Sequence, residues 1–263
     1  MAVVLSVEET DAVVARLRSA GCVFAEDEAR LLLEAADSTS QLEDLIERRS
    51  DGRPLEYLLG WVEFFGLRVA VDAGVFVPRR RTEFLVREAI ARANANAIVL
   101  DLCCGCGAIG IAIASAIDGT ELYAADIDPA AVRNTRRNFE ISGGRVFEGD
   151  LFEPLPDVLR GRVNILTANV PYVPTEAIAL LPAEARDFEP RATLDGGGDG
   201  LDVLRRLAGE APVWLAPGGT LFVETGGDQA ETAAAVLEGA GLAPRIARSE
   251  HFNATVVLGD RRV

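Results

Sequence analysis

The chain has 263 residues, 49% hydrophobic and 25% charged, with a formal net charge of −15. That length allows one large domain or a medium domain with a small one, and the composition supplies ample apolar material for a globular core. The acidic surplus argues against direct nucleic-acid binding by bulk electrostatics, because a phosphate backbone must be met by surplus Lys and Arg.

The opening Met-Ala-Val-Val-Leu-Ser lacks the basic start and long apolar core of a signal peptide. From Ser6 to Ala20, Val7, Val13, Val14 and Leu17 recur at helical spacing, and Ser6 with Glu9 makes a capping box. Glu26–Ala36, Ser40–Arg49 and the short Pro54–Leu59 read as three further helices. Residues 1–60 are expected to form a small helical domain, apart from the chemistry and free to grip a substrate. Trp61–Pro78 is rich in β-branched and aromatic residues with Gly66 and Gly74 between them, which predicts a β-hairpin in a linker, residues 61–80. Arg79-Arg80-Arg81 is the only dense basic run. It reads either as a solvated connector or as a grip on an acidic, carboxylate-bearing substrate, with Arg79 a candidate substrate contact. A helix is expected from Thr82 to about Asn94.

Residues 81–263 carry the remaining pattern. Strands are expected to end near Asp101, Asp126, Phe147, Asn169 and Glu224, with helices near Ala108–Ala116, Pro129–Ile141, Gly200–Trp214 and Gln229–Ala240. Pro244–Ser249 and Ala254–Leu258 fit closing strands. Such alternation predicts a parallel, doubly wound α/β sheet. Leu102–Ile117 runs sixteen residues without a charge but is cut by three glycines. It is short for a membrane span, so it reads as loop plus buried helix and no membrane role is expected. Cys103 and Cys106 have C-x-x-C spacing, yet there is no second ligand pair and only one histidine, so no metal is expected. Reduced thiols suit a cytoplasmic address.

In Ala97-Ile-Val-Leu-Asp101-Leu-Cys-Cys-Gly105-Cys-Gly107-Ala-Ile-Gly110 an apolar strand ends on a carboxylate, turns through glycines and opens a helix. This is how an α/β sheet holds a nucleotide-like cofactor. Gly105, Gly107 and Gly110 satisfy G-x-G-x-x-G, so a dinucleotide is the rival ligand. A pyrophosphate wants bare N–H groups and no nearby anion. Here Asp101 closes one strand, and Asp126, followed by Asp128, closes the next. Carboxylates suit S-adenosylmethionine (SAM), which offers a sulfonium, an ammonium and a ribose diol but no phosphate. Asp126 reads as a ribose ligand, or else with Asp128 as a cap on the helix that Pro129 opens.

The second informative stretch is Asn169-Val170-Pro171-Tyr172, at the end of a buried strand and beside the cofactor edge. The Asn169 side chain and the Val170 carbonyl each offer an acceptor, Pro171 holds Val170 extended, and Tyr172 offers a flat face. Together they would hold a planar –NH2 group and raise the reactivity of its nitrogen by position and polarisation. Asp150, in Glu148-Gly149-Asp150-Leu151-Phe152, is placed to accept from an adenine N6 or to cap a helix.

These residues together resemble the HemK/PrmC family of protein-(glutamine N5) methyltransferases, which act on the Gly-Gly-Gln motif of peptide-chain release factors. The resemblance extends through Arg53-Pro54-x-x-Tyr57-x-x-Gly60, Val77-Pro78-Arg79-x-x-Thr82-Glu83, Gly149-Asp150-Leu151-Phe152, Phe188-Glu189-Pro190, Gly197-Gly198-Asp199-Gly200, Pro217-Gly218-Gly219 and Glu224-x-Gly226. It implies a Rossmann-like, seven-stranded SAM-dependent methyltransferase domain with a small helical N-terminal domain and a linking β-hairpin. It further implies that Cys103, Cys104, Gly105, Cys106 and Gly107, with Asp126, Leu151 and Asn169, contact SAM, and that Asn169–Tyr172 hold the acceptor amide. The expected partner is a release factor. There are departures. Val170 replaces the first proline of the family's Asn-Pro-Pro-Tyr, Arg80-Arg81 replaces its Pro-Glu or Pro-Asp, and three cysteines replace its Gly-Thr-Gly/Ser-Gly loop. They leave N-methylation of a small amide, amine or guanidino compound as the alternative activity. A DNA adenine methyltransferase and a non-catalytic SAM-binding module are the remaining classes.

Overall fold

Four helices open the computed structural model: α1 (Val7–Ser19), α2 (Ala25–Ala35), α3 (Thr39–Ser50) and α4 (Leu55–Leu59). The structure describes residue 3 and residues 5–262. Met1, Ala2, Val4 and Val263 lie outside the described residues, and with them part of the N-terminal expectation. The Ser6 side chain accepts from the Glu9 N–H while Glu9 reaches back to the Ser6 N–H, so the capping box forms. Leu17, Ala25, Leu32, Leu42 and Ile46 bury one face of each of the first three helices in a shared apolar cluster. Arg49 spans that layer. It donates to both oxygens of buried Glu28 at 2.5 and 3.2 Å and pairs with Glu184 outside the layer.

Strands β1 (Trp61–Phe64) and β2 (Leu67–Ala70) form an antiparallel hairpin. Its turn residues Phe65 and Gly66 both have positive φ, 53° and 74°, matching the twist of a two-residue hairpin turn. The hairpin is shorter than expected. Val71–Pro78 pairs with no strand, because the Asn134 side chain takes the Asp72 N–H and the chain turns through Gly74 at φ 84°. A 3-10 turn over Arg80–Thr82 leads into α5 (Glu83–Ile90). This helix ends before Asn94; the chain leaves it in turns and Asn96 sits at φ 61°.

The main sheet contains β3 (Ile98–Leu102), β4 (Glu121–Asp126), β5 (Arg145–Glu148), β6 (Val163–Ala168), β7 (Leu215–Thr225), β8 (Leu242–Ser249) and β9 (Ala254–Arg261). Its order is β5-β4-β3-β6-β7-β9-β8. The helices between are α6 (Ala108–Ala116), α7 (Pro129–Phe139), α8 (Ala183–Phe188), α9 (Asp202–Trp214) and α10 (Ala230–Gly239). Alternation along each strand feeds two cores. Val99, Ala124, Ile165 and Phe222 pack with α5 and α6 on one face. Leu100, Tyr123, Leu166 and Leu221 pack with α9 and α10 on the other. The expectation of an all-parallel sheet is corrected at β9, which runs antiparallel to both neighbours. Only Glu250–Asn253 separates β8 from β9, too short for a crossover helix, so the pair must close as a hairpin.

Strand order reverses between β3 and β6, and crevices at such a point hold ligands at the carboxyl ends of the strands. The cofactor loop and Asn169–Tyr172 both leave the sheet there. Among the described residues no helix is long and apolar enough to cross a membrane.

Candidate active site

The loop Cys103–Gly107 links β3 to α6 and is built from left-handed backbone: Cys103, Gly105 and Gly107 have φ of 52°, 57° and 77°. Gly107 caps α6, and a Cβ there would stand 2.7 Å from both Phe139 and Thr135, so only glycine fits. A Cβ on Gly105 would meet nothing nearer than 4.0 Å; the open side of the loop is here. The other side is held by α7. Thr135 donates to the Gly105 carbonyl and Asn138 to the Cys106 carbonyl, both at 2.7 Å. Asn134 and Asn138 also bind the hairpin at Ala70. These supports were missed in the sequence; their signal is polar residues at helical spacing on the inner face of an amphipathic helix. Burial raises all three loop thiols, Cys106 to about 12, with neighbouring carboxylates adding to the effect on Cys103 and Cys104. They are therefore not thiolates at neutral pH. Among the described residues no group of three or more His, Cys, Asp or Glu could hold a metal.

Asp101 stands apart from its expected place at the loop mouth. It is fully buried beneath the loop, accepting from Gly110 N–H at 3.0 Å and from Thr167 Oγ1 at 2.9 Å. Burial lifts its carboxyl to about 7 against those hydrogen bonds. The third glycine of the motif serves this contact, since a Cβ on Gly110 would lie 3.2 Å from Asp101. Asp126 does reach the loop mouth: it accepts from Gly105 N–H at 2.8 Å and from Asp128 N–H at 2.9 Å, and burial raises it. Asp128 caps α7 through Ala130 N–H at 2.8 Å. Asp150 caps no helix among the described residues; Arg206 donates to one of its oxygens at 2.6 Å. Leu151 has φ 47° with its side chain buried in the core, a conformation costly for a bulky residue.

The cradle therefore fits SAM on its own donor chemistry. An open glycine loop lies beside a strand-end carboxylate, with a second carboxylate, Asp150, after the next strand. Asp126, with no cation on it, suits a diol and repels a pyrophosphate, while Asp150, paired with Arg206, keeps one oxygen as an acceptor.

Across the switch point, Asn169 directly follows β6. Its Oδ1 is buried with no hydrogen-bond partner. Val170 is buried, and Pro171 leads to Tyr172. The platform is backed by the glycine-rich segment Gly196–Gly200 and by Gln229. A Cβ on Gly196 would lie 2.7 Å from the Pro171 carbonyl, and one on Gly200 2.3 Å from that of Tyr172. Gln229 Nε2 donates to the Tyr172 carbonyl at 2.9 Å. The Tyr172 hydroxyl donates to Glu224 at 3.0 Å. A cleft of about 370 Å³ opens beside this point, lined by Arg81, Tyr172, Glu224, Arg248, Asn253 and Thr255 among others.

The arginine run is neither a solvated connector nor an uncommitted grip. Arg79 donates to buried Glu189 at 2.6 Å, and that carboxylate also takes the Val77 N–H. Arg81 donates to Glu224 at 3.0 Å. Arg80 is exposed. Two buried carboxylates, far off in sequence, thus claim two of the three cations.

Comparison with known proteins places the chain. A family profile described as methyltransferase small domain matches residues 66–184. The release factor glutamine methyltransferase of Geobacter sulfurreducens is 44% identical over 190 residues, 72% of this chain and 66% of that one; the match thus spans just under two thirds of that relative's length. The release factor glutamine methyltransferase of Deinococcus radiodurans is 37% identical over 249 residues, 86% of this chain and 88% of its own. A methyltransferase structure from Pyrococcus furiosus covers 76% of this chain and 91% of its own with a TM-score of 0.57 at 15% identity, a likeness of fold. With that depth of identity over nearly the full length of a named relative, the chain belongs to the release factor glutamine methyltransferase family.

Proposed function

We propose that this protein transfers the methyl group of SAM to the side-chain amide nitrogen of a glutamine in a peptide-chain release factor. The observation that carries the reading is the Asn169 Oδ1, a buried acceptor with no donor of its own. Leaving such a group unpaired costs roughly 1–3 kcal/mol, a cost that an incoming –NH2 removes. Bound SAM supplies an electrophilic methyl. The protein's part is placement. Cys103–Gly107, Asp126, Asp150 and Leu151 hold the cofactor. Asn169 and the Val170 carbonyl take the two N–H groups of the amide, Pro171 fixes the carbonyl that does so, and Tyr172 covers the amide plane. With both N–H groups held, the nitrogen's remaining face is the one free to take the methyl; as the N–C bond forms and the methyl leaves the sulfonium, one of the two held protons is lost from the nitrogen to solvent. Asp101 supports the loop from beneath, and Arg79 reaches the acceptor only through what it leaves exposed beside Glu189.

We assign residues 1–60 to acceptor recognition, residues 61–80 to the linker and residues 81–263 to catalysis. Supporting this, Arg49 of α3 pairs with Glu184 of α8 and Arg53 lies 5.9 Å from the Phe188 ring. The helical layer is thereby tied to the segment that follows the acceptor platform. An acceptor that works in translation, and four free thiols, support a cytoplasmic setting.

Incubation with methyl-labelled SAM and cell lysate fractionated by size tests the reading. Label in a release-factor band, absent when its Gly-Gly-Gln glutamine is changed to alanine, supports it. Label confined to small solutes overturns it in favour of a metabolite acceptor.

A further inference from the structure

Arg81 stands where the family resemblance expects a carboxylate, and its side chain reaches the acceptor platform. Its Nε donates to Glu224 Oε1 at 3.0 Å, and a terminal nitrogen donates to the Tyr172 hydroxyl. Tyr172 donates in turn to the same Glu224 oxygen at 3.0 Å. The guanidinium carbon lies 5.8 Å from the Tyr172 ring centroid. The three side chains close a triangle. Its members differ sharply in burial: the Glu224 side chain is 3% exposed and that of Arg81 47%. A carboxylate so deep needs a counter-charge, and among the described residues Arg81 is the only cation paired with Glu224.

Tyr172 has two anchors. Gln229 fixes its carbonyl, which leaves the ring free to turn about its side-chain torsions. The triangle removes the swing about the first of these torsions by holding the hydroxyl at the far end of the ring. Burial and the Glu224 charge keep that hydroxyl well above the ordinary tyrosine range, so it remains a donor in the triangle.

We propose that Arg81 is a positioning residue for methyl transfer: by neutralising Glu224 and gripping the Tyr172 hydroxyl it fixes the place and direction of the ring that covers the acceptor amide. This rests on the assignment of Tyr172 to the acceptor platform. Arg81 itself does not touch the amide. It acts through Tyr172, so its effect vanishes once the hydroxyl is gone.

A double-mutant cycle over Arg81→Met and Tyr172→Phe, with Asn169→Ala alongside, tests this. Each cycle single mutant is expected to lower kcat roughly ten- to hundredfold, the loss typical of a misplaced reacting group. The KM for the acceptor should move by less than about threefold, and SAM affinity by less than about twofold. The double mutant should be no slower than the slower single mutant. Arg81→Lys keeps the charge but not the fork, so it should restore the melting temperature while recovering only part of kcat. Losses that multiply in the double mutant overturn the proposal. So does full recovery of kcat by Arg81→Lys, which would reduce Arg81 to a counter-charge for folding. Transfer at the wild-type rate in Asn169→Ala defeats the site assignment as a whole. A loss of roughly 10²–10³ in Asn169→Ala beside wild-type rates in Arg81→Met defeats the Arg81 proposal alone.

Discussion

The two sides of the crevice are finished to different degrees. On the cofactor side the groups named above are paired: Thr135, Asn138 and Asp126 hold the loop, and Asp101 spends both oxygens beneath it. On the acceptor side polar atoms are left waiting. The buried side-chain polar atoms that lack a partner among the described residues are Thr82 Oγ1, Asn169 Oδ1 and Glu224 Oε2. Asn169 and Glu224 belong to the acceptor edge, and Thr82 follows Arg81, which reaches it. A prebuilt loop suits a small cofactor that must bind the same way each time. An unsatisfied edge suits a partner chain that brings its own donors and whose absence is felt as a cost.

The contrast can be broken most forcefully at Asn169. Asn169→Ala should lower kcat by roughly 10²–10³, as loss of one oriented hydrogen-bonding group does in other active sites, with an unchanged melting temperature. A fall in melting temperature matching the loss of activity would mean that the residue is structural. Next in size is Arg49→Met. It strands buried Glu28 and frees Glu184, so denaturant unfolding should show a loss of about 3 kcal/mol; a loss under about 1 kcal/mol would show the layer is not tied by this pair. Gly107→Ala adds a Cβ 2.7 Å from Phe139 and Thr135 at φ 77°. It should cost about 2 kcal/mol and weaken SAM binding in calorimetry, whereas wild-type affinity would show that the loop tolerates rebuilding.

Asp101→Asn sharpens the cofactor side through its dependence on pH. Asp101 titrates near 7 when folded against 3.8 as its ordinary value. The native state therefore holds a proton that the unfolded chain has lost between those values, and this group's contribution to stability falls as pH rises through that window. The amide variant removes the titration. Its stability relative to wild type should climb from pH 4 to 7 and level off above, followed by denaturant midpoints. A pH-independent difference would show that Asp101 is ionised throughout.

Local features were legible in the sequence and distant pairings were not. The strand, glycine turn and helix around Gly105 follow from apolar periodicity and backbone sterics within about fifteen residues. So do the Ser6 and Asp128 caps, each written in four residues or fewer. The partners of the arginine run lie 110 and 143 residues away, and no periodicity links them. Asp101 and Asp126 look alike as strand-end carboxylates, yet one points under the loop and the other to its mouth, a difference set by how α6 packs on β3. Seven strands could be counted from their patterns, and the direction of β9 was implicit in the four residues before it.

The most direct test of an acceptor edge that awaits an amide is calorimetry with paired peptides. A peptide carrying Gly-Gly-Gln and its Gly-Gly-Glu counterpart are titrated into the protein loaded with demethylated cofactor. The glutamine peptide should bind at least about tenfold more tightly, because a carboxylate meets the Asn169 oxygen with no N–H to give, and Asn169→Ala should erase the preference. Equal binding of the two peptides to the wild-type protein would contradict the account.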